Sequence, residues 1–180
     1  MTKRLYHFSE DGRIPRFEPR PVLIPSRRPP GMDWLNGPLV WAIDAAHSPL
    51  HIFPRDCPRI VMRRLPTSSE KDFVYYWNDS SKHMLAFIEE GWLDRINKTR
   101  LFRYELPSQT FTDLQDAGMH VSEHPVSPMR VQVLDDLLAS LDDAGVETRS
   151  LPDLTPLKDA WSTSLQVSGI RLRNAKSWRS

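Results

Sequence analysis

Apolar and polar residues alternate at several places along the chain, and this pattern is typical of β-strands with one buried face. In the run RLYHFSED, Tyr6 and Phe8 alternate with Leu5, His7 and Ser9. The alternation predicts a strand with an aromatic face and a second face that carries the histidine. We expect the aromatic face to pack into the core, so that His7 and Ser9 point towards a cleft on the other side.

Further strands are predicted from short apolar or alternating runs that turn residues delimit. These runs are PLVWAID at 38–44, PRIVMRR at 58–64, FVYYW at 73–77, RLFRYEL at 100–106 and VETRSL at 146–151. MHVSEHPVSP at 119–128 and SGIRLRN at 168–174 are predicted to be extended.

Two longer helices are predicted from apolar residues at three- and four-residue spacing. The first covers 78–98, where Ser80 or Ser81 is a suitable cap, and the second covers 133–144, with Gly145 just past its end. Shorter helices are predicted at 45–53 and at 155–161, the latter with Thr155 as cap and Pro156 in the first turn.

A proline-rich arm is predicted at 9–37, because seven prolines occur between Pro15 and Pro38. Proline fixes φ and lacks an amide donor, which disfavours a helix here. Phe17 and Trp34 are among the apolar residues that could anchor the arm to the rest of the chain. We therefore expect an ordered, extended arm within a single α+β domain over 1–180 that has many short, mainly antiparallel strands and flanking helices.

The composition narrows the class of protein. A chain of 180 residues with 39% hydrophobic and 26% charged residues suits one soluble globular domain. A net charge of +1 argues against an extended nucleic-acid surface. Cys57 is the one cysteine, and we expect neither a signal peptide nor a membrane-spanning segment, because no apolar run is long enough. We expect a cytoplasmic protein without a membrane partner.

A metal site is one possible interpretation of His47 and His51, which are four residues apart, with Cys57 nearby. Pro49 lies between the two histidines, and the glutamate of a hydrolytic zinc motif does not follow the first one. The pattern favours an ordinary helix surface, and no metal is expected.

Cys57 is also a candidate nucleophile, because Arg55 and Arg59 would favour its thiolate. Pro54 and Pro58 instead favour a rigid corner in which the cysteine fills space in the core. The second interpretation is preferred.

A nucleotide site is suggested by His7 and Ser9 together with Arg16 and Arg20 in the arm. A histidine in a strand can hydrogen-bond a ribose hydroxyl, and arginines can hold a pyrophosphate. A histidine bonded to a main-chain carbonyl explains the spacing equally well, so both interpretations stay open.

Several segments together resemble an uncharacterised bacterial family, a domain of unknown function. The shared segments are LYHFSED, GRIPRFEPR, PLVWAIDAAH, HIFPRDCPRI, HVSEHPVSP and SGIRLRN. More distantly, the Tyr-His pair of the first strand, the Asp-Ala-Ala that follows the second strand, and RLFRYEL before HVSEHPVSPMRV are similar to the ADP-ribosyltransferase fold. The likeness is greatest to the rifampin ADP-ribosyltransferases.

That resemblance implies a curved, split β-sheet that binds NAD in its cleft. It assigns the ribose hydroxyl to His7 and makes Trp41 the aromatic that faces the nicotinamide. The pattern of strand and arm residues adds Ser9 and Arg20 as expected cofactor contacts. A carboxylate would stabilise positive charge that develops on the ribose.

The sequence departs from this pattern at two places. Leu39 or Trp41 stands where the family has a tyrosine, and the carboxylate has three candidates: Asp113, Asp116 and Glu123. We therefore hypothesise an ADP-ribosyltransferase-like domain that binds NAD or a related small nucleotide, with His7, Glu123 and Asp113 as catalytic candidates and an undetermined acceptor. The alternative is a non-catalytic ligand-binding or interaction domain with the same fold.

Overall fold

A computed structural model describes residues 3–178, within which short strands dominate. The strands are β1 Leu5–Ser9, β2 Val40–Asp44, β3 Arg59–Arg63, β4 Met84–Glu89, β5 Leu101–Leu106, β6 Thr112–Asp113, β7 Met119–Ser122, β8 Arg130–Leu134, β9 Val146–Leu151 and β10 Gln166–Ile170. The α-helices are α1 Glu70–Trp77, α2 Leu93–Lys98 and α3 Leu137–Asp143. Turns of 3-10 helix lie at Asp33–Asn36, Ser48–His51, Glu90–Trp92, Thr155–Ser162 and Leu172–Asn174.

The chain folds into two compact units. The first contains the described residues up to Ser48 together with Leu101–Leu134, and the second contains Pro49–Arg100 and the described residues from Asp135 onwards. The α+β class in a single domain, with mostly antiparallel sheets and few helices, is confirmed. The ADP-ribosyltransferase-like arrangement and the arm boundaries at 9–37 stay predictions.

The first unit is built on a six-stranded sheet in the order β6-β7-β2-β1-β5-β8, in which every neighbouring pair is antiparallel. Leu5 pairs with Asp44 on one side and with Leu106 on the other, so these three side chains share a face. The core on that face contains Leu5, Phe17, Val40, Ala42, Tyr104, Leu106 and Val126. The opposite face has a smaller cluster around Leu35, Leu39 and Val121.

The proline-rich arm contacts this sheet at two backbone bridges. Phe17 pairs with Val126 and Arg20 pairs with Leu39. The buried hydroxyl of Tyr104 donates to the Asp11 carbonyl over 2.7 Å and accepts from the Ile14 amide over 3.2 Å. The start of the arm is therefore fixed, whereas Leu23 (90% exposed) and its neighbour Ile24 are on the surface.

The second unit contains a four-stranded sheet in the order β10-β3-β4-β9. The β4–β9 pair is parallel and the other two pairs are antiparallel. Its core consists of Ile60, Met62, Trp77, Leu85, Phe87, Leu154, Leu157, Ala160, Leu165 and Ala175. Every residue of β4 is buried, which explains why it carries an almost unbroken apolar run.

Two predicted elements are wrong. The helix predicted over 78–98 contains strand β4, and only its last part is the helix Leu93–Lys98. A run that is buried on both faces has no polar positions to reveal its period, so spacing could not distinguish the strand from a helix. The strand predicted at 73–77 is part of α1, which Ser69 caps by accepting the Asp72 amide.

The aromatic content of α1 concealed its helical period. Phe73 and Trp77 are four residues apart and stack with ring centroids 5.0 Å apart, as residues on one helix face do.

The helix predicted over 133–144 is partly correct: β8 continues to Leu134, and α3 then begins after Asp136, whose carboxylate accepts the Ala139 amide. The strands at 5–9, 100–106 and 146–151 are confirmed, and the strand predicted at 38–44 begins at Val40.

Candidate functional site

His7 lies on the face of the first sheet that packs against the arm. Its ring is 4.6 Å from the ring of Phe17, centroid to centroid. Its Nδ1 is 2.8 Å from the main-chain carbonyl oxygen of Trp41, and because a carbonyl can only accept, Nδ1 carries the hydrogen and donates. The sequence left two interpretations of His7 open, and this geometry agrees with the second, a histidine bonded to a main-chain carbonyl.

The indole of Trp41 projects from the opposite face. Tyr6 pairs with Ile43, and Trp41, two residues before Ile43, pairs with Val121, so these side chains share the face that His7 does not. Trp41 packs against the cluster around Leu35, Leu39 and Val121. The guanidinium carbon of Arg28 lies 5.7 Å from its ring centroid. The structure therefore does not bring the His7 and Trp41 side chains together in one cleft.

Ser9 and Arg20 both have structural contacts. The hydroxyl of Ser9 accepts the Asp11 amide over 3.0 Å and so stabilises the turn after β1. The amide and carbonyl of Arg20 bond the carbonyl and amide of Leu39 over 3.2 and 3.1 Å. This bridge places the exposed Arg20 next to Leu39, which immediately precedes β2 and is two residues before Trp41.

Asp113 is held in a network of charged residues. Its Oδ2 lies 2.9 Å from Nζ of Lys3 and 3.5 Å from Nε2 of His120, and its Oδ1 accepts the Gln115 amide over 2.8 Å. The hydrogen bond from Lys3, followed by that from Gln115, lowers the pKa of the Asp113 carboxyl. Asp113 pairs with His120, which pairs with Ala42, so its side chain is on the face opposite to Trp41. The third candidate, Asp116, accepts the Met119 amide through its main-chain carbonyl.

Glu123 lines an open cavity of about 370 Å³. The cavity is lined by Trp34, Thr110, Thr112, Val121, Glu123 and His124, and we call it the Trp34 cavity. Val121 pairs with both Thr112 and Trp41, which places the cavity on the Trp41 face of the sheet. Of the three catalytic candidates His7, Glu123 and Asp113, the lining includes Glu123 alone.

Two segments that line the Trp34 cavity are connected through Ser122, whose side chain is buried. Its Oγ lies 3.0 Å from Oγ1 of Thr110 and accepts the His124 amide over 3.1 Å. One hydroxyl thus connects the segment before β6 to the end of β7. The residues that line the cavity carry an indole, a carboxylate, an imidazole and two hydroxyls.

Sequence reasoning did not select Thr110, Thr112 or His124, and it named Trp34 as an apolar residue that could anchor the arm. The signal that could have found them is weak: two threonines on one side of a turn and a Glu-His dipeptide on the other. The pairing of β6 with β7 brings these segments together.

The interpretations based on metal and thiolate chemistry gain no geometric support. Among the described residues, no group of three or more histidine, cysteine or acidic side chains is placed to hold a metal ion. His47 instead pairs with Asp44, Nδ1 to Oδ1 over 2.8 Å. Cys57 is fully buried, and burial raises the pKa of its thiol to about 12 despite the nearby Arg59. The thiol is therefore neutral at physiological pH, as expected for a cysteine that fills space.

In the part of the chain that the structure describes, no helix has the length and apolar character needed to cross a membrane.

Neither the curated proteins nor the solved structures contain a match to the chain. A family model does match, and it covers residues 6–175. Because this match spans nearly the whole sequence, the chain belongs to the family of unknown function DUF6886.

Proposed function

We propose that this protein binds NAD or a related nucleotide in the Trp34 cavity. The observation that carries the proposal is the convergence of an aromatic ring, a carboxylate and two hydroxyls around one cavity. These groups suit a planar ring attached to a sugar, because rings stack on indoles and sugar hydroxyls bond carboxylates and hydroxyls. The distant resemblance to ADP-ribosyltransferases supports the choice of NAD as the first ligand to test.

The volume limits how much of a dinucleotide the cavity accepts. At about 370 Å³ it is near the lower end of small-molecule sites, which suits a ring and its ribose better than a whole dinucleotide. The phosphates would then lie outside the cavity. Arg28, whose guanidinium lies over Trp41 on this face, is a candidate cation for them.

The charge of the cavity favours a cationic ring. Glu123 supplies a carboxylate and Trp34 an aromatic face, and both attract a positively charged pyridinium. NADH has an uncharged dihydropyridine ring and lacks this attraction. We therefore expect NAD⁺ to bind more tightly than NADH.

A transfer reaction would place Glu123 next to the ribose. In that reaction the bond between ribose C1′ and the nicotinamide nitrogen breaks, the bonding electrons leave with nicotinamide, and an acceptor nucleophile then bonds to C1′. The Glu123 carboxylate would stabilise the positive charge on the ribose between the two steps. The acceptor is not specified by this geometry.

Binding without turnover is a second candidate function, favoured by the contacts of His7 and Asp113. His7 bonds the Trp41 carbonyl, and Asp113 bonds Lys3, on the face opposite to the cavity. Of the catalytic candidates His7, Glu123 and Asp113, Glu123 alone would then lie beside the ligand. A release assay for nicotinamide, run with the binding measurements, separates the two functions.

The test is calorimetric titration of the purified protein with NAD⁺, NADH and ADP-ribose. We expect NAD⁺ to bind with a Kd between about 1 μM and 1 mM, the usual range for enzyme substrates. Replacing Trp34 by Ala should weaken binding about 5- to 150-fold, since loss of one stacking contact costs about 1–3 kcal/mol. Glu123→Gln should reduce the preference for NAD⁺ over NADH.

Two matched controls separate the site from general effects. Trp161 is 44% exposed, close to the 43% of Trp34, and Glu90 is an exposed carboxylate, and both belong to the second unit. Trp161→Ala and Glu90→Gln should leave the Kd for NAD⁺ within twofold of the wild type. The proposal fails if the wild type binds no nucleotide at millimolar concentration, or if the controls weaken binding as much as the cavity variants.

A further inference from the structure

Strand β6 forms one wall of the Trp34 cavity, and only a short pairing with β7 joins it to the sheet. It is two residues long, lies at the sheet edge, and pairs with β7 through Thr112–Val121 and Asp113–His120. Both of its residues are exposed. Ladder hydrogen bonds over two residues hold a strand only weakly.

The two residues of β6 face opposite sides. Thr112 lines the cavity, whereas Asp113 projects to the other face and contacts Lys3 and His120. Lys3 lies two residues before the buried Leu5 of β1, and His120 is a buried residue of β7. Asp113 therefore connects the wall to two more central strands.

The groups that face Asp113 are arranged to retain its negative charge. Lys3 lies between two carboxylates, 2.9 Å from Asp113 and 3.8 Å from Oδ2 of Asp44, which in turn bonds His47 through Oδ1. The ring Nδ1 of His120 donates to the Gly118 carbonyl over 2.9 Å. The Nε2 atom of His120, which faces Asp113, can donate only when the ring is protonated.

We infer that Asp113 is a positioning residue, which holds the β6 wall of the Trp34 cavity in place through its ion pair with Lys3. The inference deepens the proposed nucleotide site and rests on it for its effect on affinity. Loss of the Lys3–Asp113 pair should let β6 separate from β7 and so move Thr112 away from a bound ligand. Asp113 itself, on the opposite face, does not touch that ligand.

The first readout needs no ligand. The Leu114 amide, next to β6, donates to the Met119 carbonyl over 3.0 Å, and its hydrogen exchange reports separation of the two segments. Asp113→Asn keeps an oxygen that can accept the Gln115 amide but removes the charge, and Lys3→Met removes the partner. Each variant should speed Leu114 exchange at least threefold, and the double variant should add little to either single change.

The second readout is the Kd for NAD⁺ in the same variants, which should rise about three- to tenfold while the melting temperature changes little. Lys3→Arg should retain wild-type exchange and affinity. Lys98→Met and Asp94→Asn, which break a surface ion pair of the second unit, are controls that should change neither quantity.

The outcomes separate this inference from the proposed function. Unchanged Leu114 exchange in Asp113→Asn and Lys3→Met, or equal acceleration in the controls, overturns the positioning role. Unchanged NAD⁺ affinity despite faster exchange overturns its effect on the site. If the wild type binds no nucleotide, the proposed function fails, and the exchange rates still decide whether Asp113 holds β6.

Discussion

The imidazole of His7 donates a hydrogen bond to the main-chain carbonyl of Trp41 over 2.8 Å, while the two side chains lie on opposite faces of the sheet. The paired register of β1 and β2 covers Leu5–Asp44 and Tyr6–Ile43, and the His7 side chain bonds β2 just beyond those pairs. The histidine thus extends the connection between two strands with its ring.

His7→Ala should therefore reduce stability more than ligand binding. The change removes the donor to the Trp41 carbonyl and the ring contact with Phe17, at a cost of about 1–3 kcal/mol in the free energy of unfolding. Urea denaturation measures this cost. NAD⁺ affinity of the folded variant should stay within twofold of the wild type. Lost binding with unchanged stability would instead assign His7 to the ligand.

Tyr104→Phe should loosen the beginning of the arm. The hydroxyl is a donor to Asp11 and an acceptor from Ile14, and its removal leaves both main-chain groups without that partner. We expect a loss of about 1–3 kcal/mol in the free energy of unfolding and faster exchange of the Ile14 amide. Tyr75→Phe, at a side chain that is 77% exposed, is the control and should change stability by less than about 0.5 kcal/mol. Equal effects of the two changes would contradict the assigned role.

Cys57 should resist modification in the folded protein. It is fully buried, and its thiol pKa of about 12 leaves almost no thiolate at pH 8. A disulfide reagent should label it at the rate at which the protein opens, and rapidly in denaturant. Fast labelling of the native protein at pH 8 would show that the thiol is accessible and reactive.

Gly118 should not tolerate a side chain. Its φ is +76°, and a Cβ would lie 2.4 Å from Nδ1 of His47 and 2.7 Å from Oδ1 of Asp44. Gly118→Ala should lower the free energy of unfolding by about 2–5 kcal/mol, from backbone strain and displacement of the His47–Asp44 pair. Gly91→Ala, where nothing lies within 4 Å of the new Cβ, should be neutral or slightly stabilising. Thermal unfolding of the two variants tests the contrast.

Asp44 should contribute to loss of stability in acid. Burial raises the pKa of its carboxyl, but the hydrogen bonds from His47 and the charge of Lys3 outweigh burial and lower it below the ordinary value of 3.8. The unfolded chain then binds the proton more readily, so this contribution is present above about pH 4 and is lost as pH falls through the lowered pKa. Asp44→Asn should flatten the decline of the unfolding free energy below pH 4. An unchanged decline would contradict the assignment.

Local pattern was sufficient where a strand alternates two kinds of side chain or where an element has a clear terminus. The alternation in Leu5–Ser9 and Leu101–Leu106 identified two strands, and Gly145, with φ +76°, follows the end of α3 as predicted. These features depend on residues within one strand or one turn. The sequence by itself also determined that Cys57 has no partner for an intrachain disulfide.

Tertiary structure decided the elements and contacts that depend on distant residues. Met84–Glu89 is a strand because it pairs with β3 and β9, which no spacing within the segment reveals. The candidate site depends on register, since a shift of one residue would turn Thr112 away from Val121 and exchange the faces of Thr112 and Asp113. Sequence reasoning identified Glu123 and Trp41 as candidates. Only the pairing of the strands shows that Trp41 lies on the face with the Trp34 cavity, which Glu123 lines, and that His7 lies on the other face.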